Sequence, residues 1–210
     1  MMMNNRRAAL AVLAAVAALS SAGCAPLVVG GAVAGGVMVA SDRRSPGIQL
    51  EDQAIELRVR DALGKAFPKD RANISVTSYN QRVLLTGEVT EAQMKSEAEA
   101  IARKSENVRA VVNELYVGSL STFANRNFDT ALTSKVLAAL LQAPGVPSGA
   151  IKVVSERAVV YLMGRVTPGE GEAAARAASR VAGVQRVVKN FDYLSEKEAA
   201  DDAAKAPPAN

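Results

Sequence analysis

One pattern occurs twice in this chain: Val83-Leu84-Leu85-Thr86-Gly87-Glu88-Val89-Thr90 and, at an offset of 77 residues, Val160-Tyr161-Leu162-Met163-Gly164-Arg165-Val166-Thr167. The same offset pairs apolar positions upstream of the pattern: Ile55, Val59 and Leu63 with Leu132, Val136 and Leu140, and Ile74 and Val76 with Ile151 and Val153. Downstream, an offset of 76 pairs Val108, Val111 and Val112 with Val184, Val187 and Val188. A chance match would not keep this register, so the chain contains a tandem duplication.

Each copy is predicted to have the order helix, strand, strand, helix, strand. In the first copy these are a helix with Asp52 as N-cap, strands 74–77 and 82–89, a helix from a Thr90–Gln93 capping box to Lys104, and a strand 108–117. In the second copy they are helix 129–142, strands 151–155 and 159–166, helix 169–182 and strand 184–193. This order predicts an α+β fold, with a three-stranded sheet and two helices on one face in each module.

Gly87 and Gly164 occupy the same place in the two copies, where the second strand ends. A glycine there indicates a positive φ or a close backbone approach. We therefore predict that both are structural glycines.

Composition excludes most catalytic sites. The 210 residues include no histidine and a single cysteine, Cys24, so imidazole catalysis, disulfides and thiolate zinc sites are excluded. The acidic pairs Glu170/Glu172 and Asp201/Asp202 fit a helix start and a tail better than an active site. We expect no enzyme activity and no cofactor. The 25 basic and 21 acidic residues form a mixed surface, so nucleic acid is not an expected partner.

The N-terminus has the layout of a secretory signal. A basic segment 1–7 precedes the apolar residues 8–19, and small residues then lead to Cys24. Ser20-Ser21-Ala22-Gly23-Cys24 resembles the lipobox of bacterial lipoproteins, which implies that residues 1–23 are removed and that Cys24 is acylated. Ala25 after the cysteine resembles the signal for the outer membrane. Residues 24–49 then read as a lipidated, Gly-rich tether, with Gly31-x-x-x-Gly35 helix packing as the alternative.

The repeated motifs resemble BON domains. Leu85-Thr86-Gly87-Glu88-Val89 with Asn107-Val108-Arg109-Ala110-Val111 carries the resemblance in residues 50–118, and Leu162-Met163-Gly164-Arg165-Val166 with Gly183-Val184-Gln185-Arg186-Val187 carries it in residues 126–194. With the lipobox, the arrangement is similar to the dual-BON-domain lipoproteins of Gram-negative bacteria. Residues 195–210, rich in charge, Ala and Pro, are predicted to be disordered.

The resemblance implies a non-enzymatic lipoprotein, anchored in the outer membrane, that faces the periplasm and maintains envelope integrity, including at division sites. It also implies that an anionic phospholipid membrane is the partner and that the first helix of the second module contacts it. Carried onto this sequence, that helix offers Phe123, Arg126, Phe128, Ala131, Leu132 and Lys135. The alternative is that Phe128 packs on its own helix and that Lys135 is ordinary solvated surface.

A different function remains open at this point. An adaptor with exposed sheet edges would dock on the outer-membrane assembly machinery or on a peptidoglycan-associated partner. The sequence does not fix the oligomeric state under either hypothesis, and a monomer is favoured. Both hypotheses use the surface of the modules rather than a catalytic pocket.

Overall fold

The computed structural model describes residues 42–205, so the predicted signal peptide, Cys24 and residues 206–210 lie outside the described part. Module 1 consists of α1 (Pro46–Ala66), β1 (Ala72–Tyr79), β2 (Arg82–Val89), α2 (Ala92–Lys104), β3 (Ala110–Asn113) and β4 (Tyr116–Val117). Module 2 consists of α3 (Phe123–Gln142), a 3₁₀ turn (Ser148–Ala150), β5 (Ile151–Glu156), β6 (Val159–Val166), α4 (Pro168–Ser179) and β7 (Arg186–Tyr193). A last helix, α5 (Glu196–Lys205), follows. The predicted order of elements is confirmed in both copies.

Both modules have the same sheet topology. β1 and β2 form an antiparallel hairpin, and β3 lies parallel to β2 on its other side. β5, β6 and β7 repeat this order and these directions. The third strand of module 1 is interrupted at residues 114–115, where the buried side chain of Leu115 turns into the core.

Alternation along the strands explains why both helices of a module lie on one face of its sheet. In β2, Val83 and Leu85 pack with apolar residues of α1 and α2 in one buried cluster. In β6, Val160 and Leu162 do the same with α3 and α4. The fold class and the one-sided helices predicted from the sequence are therefore confirmed.

The opposite faces of the two sheets pack against each other. Leu84 and Tyr79 of module 1 share a buried cluster with Tyr161 and Met163 of module 2. Burial of each such side chain contributes about 1.5–3 kcal/mol. Within residues 42–205 the layers thus follow one another as helices, sheet, sheet and helices, and the duplication covers the sheet face that a single module would expose.

Helix starts differ from the prediction in both modules, and in module 2 α3 begins at Phe123 rather than at residue 129. Ser45 rather than Asp52 is the N-cap of α1, and its hydroxyl accepts from the N–H of Ile48, so α1 begins inside the segment predicted as tether. Asp52 instead lies buried in the second turn of α1. The predicted capping box at Thr90 is also wrong, because the N-cap of α2 is Glu91 and its side chain makes no capping bond. Module 2 has the capping box, between Thr167 and Glu170.

Residues 196–205, which the sequence predicts to be disordered, form a helix. At the start of α5, Ser195 and Glu198 exchange hydrogen bonds in which Ser195 N–H and Oγ–H donate to the carboxylate and Glu198 N–H donates to the hydroxyl. Ala199 is buried, and Asp202 lies 3.6 Å from Arg165. These contacts hold a charged segment that has little apolar surface of its own. Among the described helices, none is long and apolar enough to cross a membrane.

Candidate functional site

Helix α3 positions the side chains that the sequence predicts to contact a membrane. Thr122 caps its start by accepting from the N–H of Asn125. Leu132, Val136 and Leu140, spaced four residues apart, form its buried stripe. Between these positions, Ser134, Lys135 and Ala138 are exposed.

The structure divides the predicted residues into two groups. Arg126, Ala131 and Lys135 are exposed, and Phe128 is 48% exposed. Leu132 is 1% exposed and belongs to the core of module 2, so its prediction as a membrane-binding residue is wrong. Leu132 fills the buried helical position that corresponds to Ile55 of module 1. The side chain of Phe123 lies outside the described part.

Phe128 packs beside the loop that follows α4. A Cβ added to Gly183, whose φ is +101°, would lie 3.1 Å from the Phe128 Cζ atom. The ring therefore lies against the backbone of a neighbouring loop, where Leu132 of the same helix also lies, and about half of its surface is exposed.

The exposed side of α3 carries cations and no acid. Its charged residues are Arg126, Asp129 and Lys135, and Asp129 is buried. Arg126 is held near the helix start, where its Nη1 donates to the carbonyl of Ser121 at 2.7 Å. Leu141, 56% exposed, adds apolar surface at the other end of the helix. This face can therefore contact an anionic or a neutral surface without charge repulsion.

A buried aspartate on the first helix of each module binds the hairpin turn, a role that sequence reasoning missed. The two turn residues of each hairpin have positive φ, from 52° to 64°. In module 1, Asp52 accepts from the N–H of Asn80 and Gln81 at 2.7 Å each. Asp129 accepts from the two equivalent N–H groups of module 2 at 2.9 Å each. The signal was present, because these two aspartates share the 77-residue offset.

The predicted structural glycines both sit against backbone. Gly87 has a φ of +106°, and an added Cβ would lie 2.0 Å from the carbonyl oxygen of Asn73. At Gly164 the corresponding distance is 2.5 Å, to the carbonyl oxygen of Ala150. The backbone at the start of the hairpin comes close at both sites, on β1 at Gly87 and in the 3₁₀ turn before β5 at Gly164. Of the two glycines, only Gly87 also has a positive φ.

The segment before α1 contacts both modules. Arg43 donates to the two carboxylate oxygens of Glu170 at 2.7 and 2.8 Å. Arg44 donates to Asp52 at 2.8 Å, and its guanidinium carbon lies 3.9 Å from the centre of the Tyr79 ring. The proposed tether is therefore held at the junction of the modules from residue 43 onward.

A cleft of about 590 Å³ opens at the other end of the inter-module interface. Its lining includes Tyr116 and Ser121 before α3, Phe128 and Asp129 on α3, and Glu156 at the end of β5. Burial, followed by the negative charges of Glu88 and Asp129, raises the pKa of Glu156 to about 7.

No group of three His, Cys, Asp or Glu side chains within residues 42–205 could hold a metal ion. Glu170, one of the acids considered in the sequence, receives Arg43 and completes the cap of α4, which is a structural role. The cleft and the exposed face of α3 are thus the features with the chemistry of a binding surface.

The sequence profile of the BON domain matches residues 51–119 and 128–195. The chain belongs to the BON-domain family. The outer membrane lipoprotein DolP of Haemophilus influenzae is 38% identical over 173 residues, which are 82% of this chain and 89% of that protein. The 21 kDa hemolysin of Actinobacillus pleuropneumoniae is 33% identical, with 73% and 79% covered. The osmotically-inducible protein Y of Escherichia coli is also 33% identical, with 72% and 77% covered.

These relatives confirm the predicted dual-BON architecture and the predicted outer-membrane location of a lipoprotein. The lipidation at Cys24 stays a prediction, because that residue lies outside the described part of this BON-domain protein.

Proposed function

We propose that this lipoprotein binds anionic phospholipid from the periplasmic side through the exposed face of α3, and that it maintains envelope integrity without catalysing a reaction. The observation that carries the proposal is the charge of that face, with Arg126 and Lys135 exposed, no exposed carboxylate, and a half-exposed Phe128. Aromatic and basic side chains are the groups that suit the headgroup region.

The equivalent helix of module 1 makes a useful contrast. α1 exposes Asp61 and partly exposes Glu51 and Glu56, and their basic neighbours pair with them: Arg58, Arg60 and Lys65. Leu50 and Leu57 are exposed on this helix, yet its acids would be repelled by an anionic surface. The two copies have therefore diverged in charge, and α3 is the better membrane ligand.

The basic residues of α3 and the proposed acyl anchor contribute differently to the free energy of membrane binding. A basic residue near an anionic leaflet contributes about 1 kcal/mol, so Lys135 gives about 1 kcal/mol, and Arg126, one nitrogen of which donates to the Ser121 carbonyl, gives at most the same again. That is weak alone, but acyl chains on Cys24 would hold the modules close to the bilayer and raise their effective concentration. The proposed anchor supplies attachment, while α3 supplies orientation and lipid preference.

Vesicle co-sedimentation tests the lipid claim. A chain that begins at residue 25, which lacks the predicted signal segment and the acyl site, is expected to sediment more with vesicles that contain cardiolipin than with phosphatidylcholine alone. Lys135→Glu reverses one charge, which costs about 2 kcal/mol, or about 30-fold in affinity. Lys69→Glu, an exposed lysine in a module 1 turn, is the matched control and should leave binding unchanged. Equal binding to both vesicles, or equal losses in both variants, would contradict the proposal.

The envelope role has its own test. In cells that lack the native protein, the wild-type chain should restore resistance to detergent and collect at division sites. Lys135→Glu should fail in both assays while Lys69→Glu succeeds. Full rescue by Lys135→Glu would separate the envelope role from lipid contact.

A second candidate, an adaptor for the outer-membrane assembly machinery, is favoured by the edge strand β7. β7 has eight residues, no strand among residues 42–205 pairs with its outer edge, and a groove of about 350 Å³ lies between its start and α4. The groove is lined by Ala175, Arg176, Ser179 and Val187. An extended segment added at such an edge would gain main-chain hydrogen bonds.

Site-specific photocrosslinking in cells distinguishes this candidate. A photoreactive residue at the exposed Ser179, which lines the groove and not the inter-module cleft, should join the chain to a protein of the assembly machinery, and Val187→Pro should abolish that product. The same residue at the exposed Gln53 of α1 is the control position. Equal products at both positions would count against an edge-specific partner.

A further inference from the structure

The two ends of the inter-module interface use equivalent residues but are filled differently. At the 77-residue offset, Arg44, Asp52 and Tyr79 correspond to Ser121, Asp129 and Glu156. The first set closes its end of the interface, and the second set lines the open cleft. The duplication therefore allows an end that is closed by Arg44 to be compared with an equivalent end that is open.

At the closed end a guanidinium lies between a carboxylate and an aromatic ring. Arg44 Nη1 donates to Asp52 Oδ2 at 2.8 Å, and the same guanidinium stacks 3.9 Å from the Tyr79 ring centre. The Tyr79 hydroxyl in turn donates to the carbonyl of Ala150 at 2.9 Å, across the interface. This arrangement offsets the charge of a carboxylate that is almost fully buried.

At the open end the same place lacks its cation. Asp129 accepts from the two turn N–H groups, but Ser121, in the position of Arg44, has a neutral side chain and offers Asp129 no positive charge. Ser155 Oγ is buried without a hydrogen-bond partner among the described residues. Its counterpart in module 1, Ser78 Oγ, donates to Asp52 at 2.7 Å.

The arginines around the cleft are engaged elsewhere. Arg157 lies 4.0 Å from the Tyr116 ring centre and 3.5 Å from Glu88. Arg186 is 3.5 Å from Glu114, and Arg126 donates to a backbone carbonyl. Burial, followed by the charges of Glu88 and Asp129, raises the pKa of the Glu156 carboxyl even though Arg157 and Arg126 act in the opposite direction.

We propose that the inter-module cleft binds the guanidinium of an arginine side chain carried by a protein partner, between Asp129 and Glu156. The bound group takes the place in module 2 that Arg44 takes in module 1. A guanidinium donates two parallel N–H groups to a carboxylate and stacks on aromatic rings, and Phe128 and Tyr161 line this cleft. The volume of the cleft is within the range of sites that hold small ligands.

The probe is a short, capped peptide with one central arginine, and the control peptide carries neutral citrulline instead. The full chain in detergent micelles is titrated, and the backbone amide signals of Arg157 and Ala158, which face Asp129, are followed by NMR. We expect saturable shifts with a millimolar Kd for the arginine peptide, as suits one side chain, and none for citrulline. No saturable shift, or equal binding of both peptides, would overturn the proposal.

Two variants locate the binding. Glu156→Gln should weaken the arginine peptide about tenfold, as the loss of one charge-assisted contact predicts. Glu97→Gln, an exposed acid on α2, is the matched control and should bind as the wild type does. Ser121→Arg should block the peptide, because it supplies the guanidinium from within the chain. Unchanged binding in Ser121→Arg or in Glu156→Gln would place the peptide elsewhere and overturn the assignment. The probe contains no lipid, so this result is independent of membrane binding.

Discussion

Asp52→Ala and Asp129→Ala remove the same turn contact from the two modules, and we expect them to differ in cost. Both carboxylates accept two backbone N–H groups from residues with positive φ. Asp52 additionally accepts from Ser78 Oγ at 2.7 Å and from Arg44 at 2.8 Å. The module 1 aspartate is therefore the centre of a larger network.

The contacts set the magnitudes. Two charge-assisted N–H bonds at about 1.5 kcal/mol each make Asp129→Ala cost about 3 kcal/mol in the free energy of unfolding. Asp52→Ala loses these bonds, leaves the Ser78 hydroxyl without its acceptor and leaves Arg44 with Asp42 alone, which brings the cost to about 5 kcal/mol. The expected difference of about 2 kcal/mol is a large fraction of the stability of a small protein.

Urea unfolding followed by circular dichroism measures both costs in a chain that carries Cys24→Ser. Asp61→Ala, an exposed acid on the same helix as Asp52, is the control and should change stability by less than about 0.5 kcal/mol. If the two buried aspartates prove equal, or if Asp129→Ala is the costlier, the extra network of Asp52 contributes nothing and our reasoning is refuted.

Glu156, the two structural glycines and the capping threonine of α4 each affect stability in a way that can be measured. Because the pKa of Glu156 is raised from 4.5 to about 7, the folded chain gains stability as pH falls from about 7 to about 4.5, and urea midpoints of Glu156→Gln should show less of this gain. Thermal melts should show a larger loss for Gly87→Ala than for Gly164→Ala, since Gly87 combines the closer carbonyl with a φ of +106°; equal losses would contradict this. Thr167→Ala should cost about 1 kcal/mol through its capping box, whereas Thr90→Ala, which caps no backbone N–H, should cost only a few tenths.

Periodicity and duplication predict most of the fold correctly, because the apolar pattern reports which face of an element is buried. The stripe of Leu132, Val136 and Leu140 indicates the core face of α3, and the same pattern in α1 indicates its counterpart. This stripe shows that Leu132, which the family resemblance assigned to membrane contact, is a core residue. A carried-over residue needs the burial pattern of its own helix before it is assigned to a surface.

Polar residues were harder to predict, because their partners are distant in sequence. Aspartate is a residue type typical of N-caps, yet the carboxylate of Asp52 accepts a hydrogen bond from a turn 28 residues away. The inter-module cleft had no sequence signal in either copy alone. Only the comparison of the copies shows that Tyr79 and Glu156 occupy one position with different chemistry.

Duplication also explains why one end of the interface is open. Two identical modules that pack sheet to sheet would close both ends alike, since each hairpin turn approaches the far end of the other sheet. The segment before α1 carries Arg44, whereas the segment before α3 links the modules and carries Ser121, whose hydroxyl donates to the buried Glu88. The shared apolar faces thus hold the two modules together, and divergence at a few polar positions leaves the cleft beside the second module open.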